Sequence, residues 1–144
     1  MSEKVSIIIP TYNEKENLHE LIYRIDKACV ENNIQYEILF IDDHSQDNSE
    51  EVITSHESSY PIFFYTKVGP KGKAQSLLEG FSHAKYQILC MIDADLQYPP
   101  EAIPIMIEKL HQGTDVVIAE TIGNGDRVDD ITPTHFAISA GLQR

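Results

Sequence analysis

The sequence predicts an α/β protein with a mainly parallel sheet and helices on both of its faces. Apolar runs of strand length, rich in β-branched residues, alternate with segments whose apolar residues recur at helical spacing. Parallel strands need crossover connections, and a helix usually makes them. Polar residues also follow three of the apolar runs directly, where ligands bind in open α/β sheets. The predicted order of elements is βαβαβαβαβ.

The first strand is predicted at Val5–Ile9, a β-branched run that Pro10 closes. A helix should follow, because Asn13 is a suitable N-cap and Glu16 stands in the capping-box position. Apolar residues then keep the helical period, while charged residues fall on the other face. The segment therefore predicts a buried strand, a loop and an amphipathic helix.

The same pattern repeats along the chain. A strand at Tyr36–Ile41 precedes Asp47 and Glu50, which form a second capping signature before a helix that runs to about Ser55. The remaining predicted elements are a strand at 61–65, a helix at 72–84, a strand at 87–92, a helix at 100–112 and a strand at 115–119.

The pattern ends after Ala119. Residues 121–134 are rich in Gly, Asp and Thr without a period, and Phe136–Leu142 is compatible with the start of a helix. We therefore divide the chain into a core at 1–119 and an irregular C-terminal segment at 120–144.

Composition limits the class of protein. The 144 residues allow one domain, 42% of them are hydrophobic, and the formal net charge is −12. This charge repels nucleic-acid phosphates and no basic stripe offsets it, so we exclude nucleic acid as a partner. Cys29 and Cys90 each lie within an apolar pattern, which favours buried thiols over a disulfide or a metal pair.

Signals for targeting and for zinc are weak. No apolar run approaches the roughly 20 residues that span a bilayer, and Met1–Lys4 leads directly into the first strand. We therefore expect a cytoplasmic protein. The six histidines show no metal-type pairing, and only His44 lies beside a candidate site, which argues against zinc.

Polar residues follow three predicted strands, at Tyr12–Glu14, Asp42–Asp43 and Asp93–Gln97. Each cluster alone has a structural explanation, such as a helix cap or a turn closed by Ser45. Because the carboxyl ends of parallel strands lie along one edge, the three clusters should converge on one crevice. Convergence of all three favours a ligand site over a chance arrangement.

Within the third cluster, Asp93 and Asp95 place two hard oxygen ligands within reach of one cation. A divalent ion held by few carboxylates keeps positions for phosphate oxygens. An isolated Asp-x-Asp is more often a pair of solvated loop acids, so this interpretation depends on the other two clusters. An acidic chain also needs such a cation, or local lysines, to hold an anionic ligand.

The segment Lys67–Lys73 supplies local lysines at the start of the third predicted helix, where free backbone N–H groups and the helix dipole favour an anion. It is not a Walker A loop, because the glycine spacing differs and Ala74 stands where Ser or Thr would hold magnesium. A solvated basic turn is the alternative explanation. We include Lys73 among the candidate ligand contacts.

Several of these stretches occur together, and in the same order, in a known family. They are Ile7–Glu14, Ile41–Asp47, Gly72–Ala74 with Gly80 and Ala84, and Met91–Glu101. Together they resemble family 2 glycosyltransferases of GT-A fold, with the dolichyl- or polyprenyl-phosphate sugar synthases as the most similar branch. The resemblance covers roughly residues 5–119.

The resemblance implies site residues and a cofactor. The residues implied to hold the base and ribose of a nucleotide-diphosphate sugar are Pro10, Tyr12, Glu14, Asp42 and Asp43. We add Lys73, from the basic segment, and Asp93 to the candidate nucleotide-sugar contacts. The residues implied to hold Mg²⁺ or Mn²⁺ on the diphosphate are Asp93, Asp95 and Gln97, of which the two aspartates would serve catalysis.

The resemblance also implies a reaction, the inverting transfer of a sugar from a UDP- or GDP-sugar to a polyprenyl phosphate at the cytoplasmic face of a membrane. A phosphate acceptor is already a nucleophile, whereas a sugar hydroxyl would need a carboxylate to take its proton. Family members usually carry a phosphate-binding arginine soon after the last strand, and Glu120 and Thr121 stand there instead. We expect 120–144 to begin an acceptor region that a missing C-terminal part or a partner chain completes.

Two other functions are open on the sequence. A non-catalytic nucleotide-binding or interaction module would keep the fold but need another segment or chain for activity. A sugar-phosphate nucleotidyltransferase would need a glycine-rich loop for the triphosphate, and Pro10–Glu14 contains no glycine. Transfer or donor hydrolysis by the isolated chain would separate the enzyme from the module.

Overall fold

The predicted alternation of strands and helices is present in the structure. A computed structural model of the chain describes residues 3–118, 120–122, 125–127 and 136–140. The strands are β1 (Glu3–Thr11), β2 (Ile34–Asp42), β3 (Ile62–Thr66), β4 (Ile88–Ile92), β5 (Val116–Ile118), β6 (Glu120–Ile122), β7 (Gly125–Arg127) and β8 (Phe136–Ala140). The helices are α1 (Lys15–Glu31), α2 (Ser49–Thr54), α3 (Lys73–His83) and α4 (Ala102–Leu110). Through β5 the order is the predicted βαβαβαβαβ.

Six strands form one sheet in the order β3-β2-β1-β4-β8-β5. The first four pair in parallel, which confirms the predicted class. Pro10 lies within β1 rather than after it, paired with Ile41 of β2. It lies beyond Ile8, where the pairing of β1 with β4 ends, so the strand tolerates its missing N–H.

The segment after β5 differs from the expectation. Residues 136–140 form β8, which lies antiparallel between β4 and β5, so the helix expected to start at Phe136 is wrong. β6 and β7 pair as a separate two-stranded sheet. The division of the chain at 119/120 stays a prediction, and residues 119, 123–124, 128–135 and 141–144 lie outside the described residues.

Helices cover both faces of the sheet. α1, α2 and α4 pack on one face, over a large buried cluster that includes Ile7 and Phe40. α3 packs on the opposite face, over Ile8, Leu39 and Ile41. Ile7 and Ile8 belong to different clusters because successive residues of a strand point to opposite faces.

α3 approaches β1 closely at a glycine. A Cβ added at Gly80 would lie 2.5 Å from Cγ2 of Ile8, closer than packed atoms come. The absence of a side chain at Gly80 therefore lets the helix backbone lie directly on the strand. This contact helps to fix α3, whose first residue, Lys73, faces the carboxyl edge of the sheet.

Candidate functional site

A cleft of about 350 Å³ opens at the carboxyl ends of the parallel strands. Its lining residues come from the ends of β1 to β4 and the start of α3, and they are Pro10, Thr11, Tyr12, Glu14, Asp43, Lys67, Gly72, Lys73, Ser76, Asp93, Ala94 and Asp95. The three polar clusters therefore lie together, as the strand pattern predicts. Two of the predicted site residues, Asp42 and Gln97, do not line this cleft.

Asp42 is buried at the end of β2, with 4% of its surface exposed. Its carboxylate accepts hydrogen bonds from the backbone N–H of Ser45 at 2.9 Å and from the Ser45 hydroxyl at 2.5 Å. The backbone N–H of Asp43 donates to the carbonyl of Thr11 at 2.9 Å. Asp42 thus stabilises the turn after β2, while Asp43 faces the cleft.

Asn13 joins the loop after β1 to the loop after β2. The sequence predicts Asn13 as the N-cap of α1, but that position belongs to Glu14, so this prediction is wrong. Asn13 has a φ of 51°, a left-handed conformation that asparagine tolerates. Its backbone N–H donates to Ser45 Oγ, and its side-chain oxygen accepts from the N–H of Gln46, both at 2.9 Å. These bonds hold one wall of the cleft together.

The loop after β4 carries Asp93 and Asp95 on the cleft wall. Asp95 Oδ1 accepts the backbone N–H of Gln97 at 3.1 Å, and the intervening Leu96 has a φ of 61°. This Asx-type turn orients the Asp95 carboxylate. Gln97 itself is exposed, so its contact with a metal stays a prediction.

The two aspartates fit a hard divalent cation. Both carboxylates line one cleft, and Mg²⁺ or Mn²⁺ accepts carboxylate oxygens together with waters and phosphate oxygens. Within the described part of the chain, no group of three or more His, Cys, Asp or Glu side chains is arranged to hold a metal ion.

Lys73 forms an ion pair with the first of these aspartates. Its Nζ donates to Asp93 Oδ2 at 2.9 Å. The lysine side chain is 41% exposed and the aspartate side chain is 15% exposed. A long cationic side chain thus reaches across the cleft from α3 to the loop after β4.

Lys67 is a cleft residue that the sequence analysis did not single out. Its side chain is 1% exposed, and its Nζ donates to the Gly72 carbonyl at 2.8 Å and lies 3.6 Å from Asp43 Oδ2. A buried ammonium group needs such partners, because desolvation of a charge is costly. Its position directly after a strand, where the other cleft residues lie, is the signal that could have identified it.

Arg24 anchors the far end of the loop after β4 to α1. Its guanidinium donates to both carboxylate oxygens of Glu101, at 2.9 and 2.8 Å. These bonds hold the pKa of Glu101 below its usual value and raise the pKa of Arg24. The loop that carries Asp93 and Asp95 is therefore attached to β4 at one end and to α1 at the other.

Similarity to known proteins identifies the family. Residues 6–143 match the family described as glycosyl transferase family 2. The chain belongs to glycosyl transferase family 2. The family expected from the four motifs is thus confirmed, and the match includes both the cleft residues and the segment that contains β8.

Two curated relatives resemble this family 2 chain over most of its length. A dolichol-phosphate mannosyltransferase from Pyrococcus furiosus is 41% identical over 127 residues, which are 88% of this chain and 36% of that protein. An undecaprenyl-phosphate 4-deoxy-4-formamido-L-arabinose transferase from Klebsiella pneumoniae is 42% identical over 118 residues, 80% of this chain and 36% of that protein. The family 2 chain thus spans about a third of the length of these relatives.

A solved structure shares the fold of this family 2 chain. A mannosyltransferase from Pyrobaculum calidifontis, in complex with GDP-Man and Mn²⁺, superposes with a TM-score of 0.64 at 22% identity, over 83% of this chain and 35% of that one. This likeness supports the GT-A-like fold.

In the described ranges of the chain, no helix is both long enough and apolar enough to cross a membrane.

Proposed function

We propose that the cleft binds the nucleoside diphosphate of a UDP- or GDP-sugar together with Mg²⁺ or Mn²⁺, and that the full enzyme transfers the sugar with inversion to a polyprenyl phosphate. The observation that carries the proposal is the meeting of Asp43, Lys73, Asp93 and Asp95 in one cleft at the carboxyl edge of a parallel sheet. The names of the two relatives support the acceptor class.

The proposed roles follow from position in the cleft. The residues at the ends of β1 and β2, which are Pro10, Tyr12, Glu14 and Asp43, would contact the base and ribose, and Asp42 would support them by stabilising its turn. Tyr12 is 59% exposed, so its ring is available to a ligand. The loop after β4 would hold the cation through Asp93 and Asp95, with Gln97 as a further candidate ligand.

The chemistry requires stabilisation of a leaving group. When the sugar leaves, negative charge grows on the nucleoside diphosphate, and a bound divalent cation would stabilise that charge as a Lewis acid. Lys73 can oppose the same charge from the start of α3. A polyprenyl phosphate attacks as an anion, so no cleft carboxylate needs to act as a general base. The acceptor is a lipid, which predicts action at a membrane surface, and we propose the cytoplasmic face.

Calorimetric titration of UDP and GDP, with and without Mn²⁺, tests the donor site. We expect one nucleotide to bind in a metal-dependent manner, and Asp95→Asn to weaken that binding at least about tenfold, as changes around metal sites commonly do. Glu108→Gln removes an exposed carboxylate on α4 and should have no effect. Absence of binding under all conditions, or an unchanged affinity in Asp95→Asn, would contradict the proposal.

A second candidate function is a donor-binding module that needs other residues for transfer. The chain spans 36% of each curated relative, so donor binding and sugar transfer are tested separately. Incubation of the chain with the nucleotide sugar that binds, with and without a polyprenyl phosphate in detergent micelles, separates the two functions. If the wild-type chain transfers the sugar or hydrolyses the donor, and Asp95→Asn abolishes that activity, the result supports the enzyme. Donor binding without turnover supports the module.

A further inference from the structure

Lys73 forms an ion pair with Asp93, the carboxylate that the proposed function assigns to a divalent cation. Its ammonium group lies 2.9 Å from Asp93 Oδ2. The cleft as a whole is lined by four carboxylates and two lysines, so its lining is formally negative by two charges. Asp93 therefore already has a cationic partner supplied by the protein.

The position of Lys73 on its helix is electrostatically unfavourable. Lys73 is the first residue of α3, and the first turn of this helix contains no acidic residue. The positive end of the helix dipole lies there, which repels a cation. Asp93 is the carboxylate that offsets this repulsion, so the pair forms across the cleft rather than within the helix.

The backbone below Lys73 is fixed, but its side chain is not. The carbonyl of Gly72 accepts the Lys67 ammonium at 2.8 Å and the backbone N–H of Ser76 at 3.3 Å. Lys67 is buried, so its hydrogen bond holds the Gly72 carbonyl in place. The Lys73 side chain, in contrast, is 41% exposed and contains four rotatable bonds. The ammonium group can therefore move across the cleft without movement of α3.

We propose that Lys73 is an exchangeable counter-ion, which neutralises Asp93 in the absence of ligand and transfers to the diphosphate when a divalent cation takes its place. This inference rests on the proposed function and deepens it. Without nucleotide, the cation must displace the ammonium group, which then loses its partner. With nucleotide, the displaced ammonium gains phosphate oxygens, so cation and nucleoside diphosphate each increase the affinity for the other.

The proposal identifies Lys73 as a residue that couples the two ligands, and this differs from a simple phosphate contact. If Lys73 only contacted phosphate, its removal would weaken nucleotide binding and leave the affinity for Mn²⁺ in the absence of nucleotide unchanged. A counter-ion that competes for Asp93 would, when removed, strengthen the binding of Mn²⁺ alone. The sign of the change in Mn²⁺ affinity therefore separates the two roles.

The test measures Mn²⁺ binding by electron paramagnetic resonance, and GDP and UDP binding by calorimetry, for wild type, Lys73→Met and Lys71→Met. Lys71 is an exposed lysine of the same segment that does not line the cleft, so its variant controls for the change in net charge. In Lys73→Met we expect Mn²⁺ alone to bind about fivefold more tightly, the factor that a partly exposed ion pair corresponds to. We also expect the nucleotide affinity to gain less from Mn²⁺ than it does in wild type.

The possible outcomes separate this inference from the proposed function. If wild type binds the nucleotide with Mn²⁺, but Lys73→Met binds Mn²⁺ alone no more tightly than Lys71→Met does, the counter-ion role is wrong and the donor site stands. If wild type binds neither ligand, both are wrong. Lys73→Arg keeps a cation at the same place, so its affinity for Mn²⁺ alone should be as low as that of wild type. Thermal unfolding of Lys73→Arg and Lys73→Met checks that both variants fold.

Discussion

At the scale of single residues, Lys67 connects three parts of the cleft. Its buried ammonium group joins the end of β3, the Asp43 carboxylate after β2 and the Gly72 carbonyl before α3. Gly72 lies in the same loop as Lys67, whereas Asp43 follows a different strand, so the side chain links two loops of the cleft. The shape of the cleft therefore depends on a residue that is almost inaccessible to solvent.

Replacing Lys67 with methionine should destabilise the fold. Methionine fills a similar volume, but it removes the cationic partner of the Asp43 carboxylate and the hydrogen bond that Lys67 donates to the Gly72 carbonyl, which typically costs about 1–3 kcal/mol. Urea unfolding measures the change, and Lys71→Met should stay within about 0.5 kcal/mol of wild type. Asp43→Asn should lower the free energy of unfolding less in the Lys67→Met background than in wild type, because Lys67→Met has already removed the ammonium group that faces the Asp43 carboxylate. Equal stability of Lys67→Met and Lys71→Met would contradict this role.

The sequence indicates the partly buried aspartates of the cleft better than its fully buried lysine. Asp93 and Asp95 follow an apolar run and precede Pro-Pro-Glu, so a local pattern indicates them. Lys67 lies in a segment with two more lysines, which has the composition of a solvated turn, and only its tertiary position makes it buried. Asp42 is a different case, because the sequence is compatible with both a turn closed by Ser45 and a ligand contact, and the structure shows the turn.

At the scale of elements, the loop after β4 is held by α1 through one ion pair. Glu20 lies one turn before Arg24 on α1 and contacts it at 3.4 Å, so the guanidinium is shared between its own helix and the start of α4. The bidentate contact with Glu101 has the shorter distances and the more favourable geometry. The pair therefore orients α1 and α4 near the candidate metal loop.

Glu101→Gln should reduce stability in a pH-dependent manner. Since the hydrogen bond from Arg24 lowers the folded-state pKa of Glu101, its stabilisation is present above the unfolded-state pKa of about 4.3 and is lost as the pH falls through the folded-state pKa. We expect a difference from wild type of at most about 1 kcal/mol at pH 7, because the pair is partly exposed, and a smaller one near pH 3. Urea unfolding at several pH values measures it. Glu20→Gln is the control and should have the smaller effect, and a difference that does not change with pH would exclude the mechanism.

The order of elements through β5 is predictable because each strand and helix has its own local period. The predicted bounds agree to within about two residues for most of them, for example Ile88–Ile92 against an expected strand at 87–92. β8 has no such local signal, since its pairing partners in β4 lie some fifty residues earlier. A short run of apolar and small residues is equally compatible with a helix, and pairing with both β4 and β5 selects a strand.

At the scale of the whole molecule, the core is one continuous structure on the side of α1, α2 and α4. Cys29 of α1 and Cys90 of β4 both lie in it and are fully buried. Burial raises the pKa of Cys29 to about 12 and raises that of Cys90 well above its usual value. Both thiols are therefore protonated and inaccessible in the folded protein, so their reactivity reports on opening of the core.

Thiol labelling should follow global unfolding. We expect a disulfide reagent to modify Cys29 and Cys90 together, at least about 10⁴-fold more slowly than an exposed thiol, because typical domains open this rarely. Ser82→Cys places a control thiol at an exposed position on α3. The labelling rate in increasing urea gives the free energy of opening. If one cysteine opens at a much lower free energy than the other, or than urea unfolding indicates, the core is divided.

The position of β8 has a consequence for synthesis of the chain on the ribosome. β4 is made some fifty residues before its neighbour β8, so one side of a wholly buried, apolar strand stays unpaired for roughly 3–10 s at ordinary translation rates. An unpaired strand edge can pair with other chains. The β8 side of β4 therefore lacks its partner until residue 140 is made, and translation pauses between residues 92 and 136 would lengthen that interval.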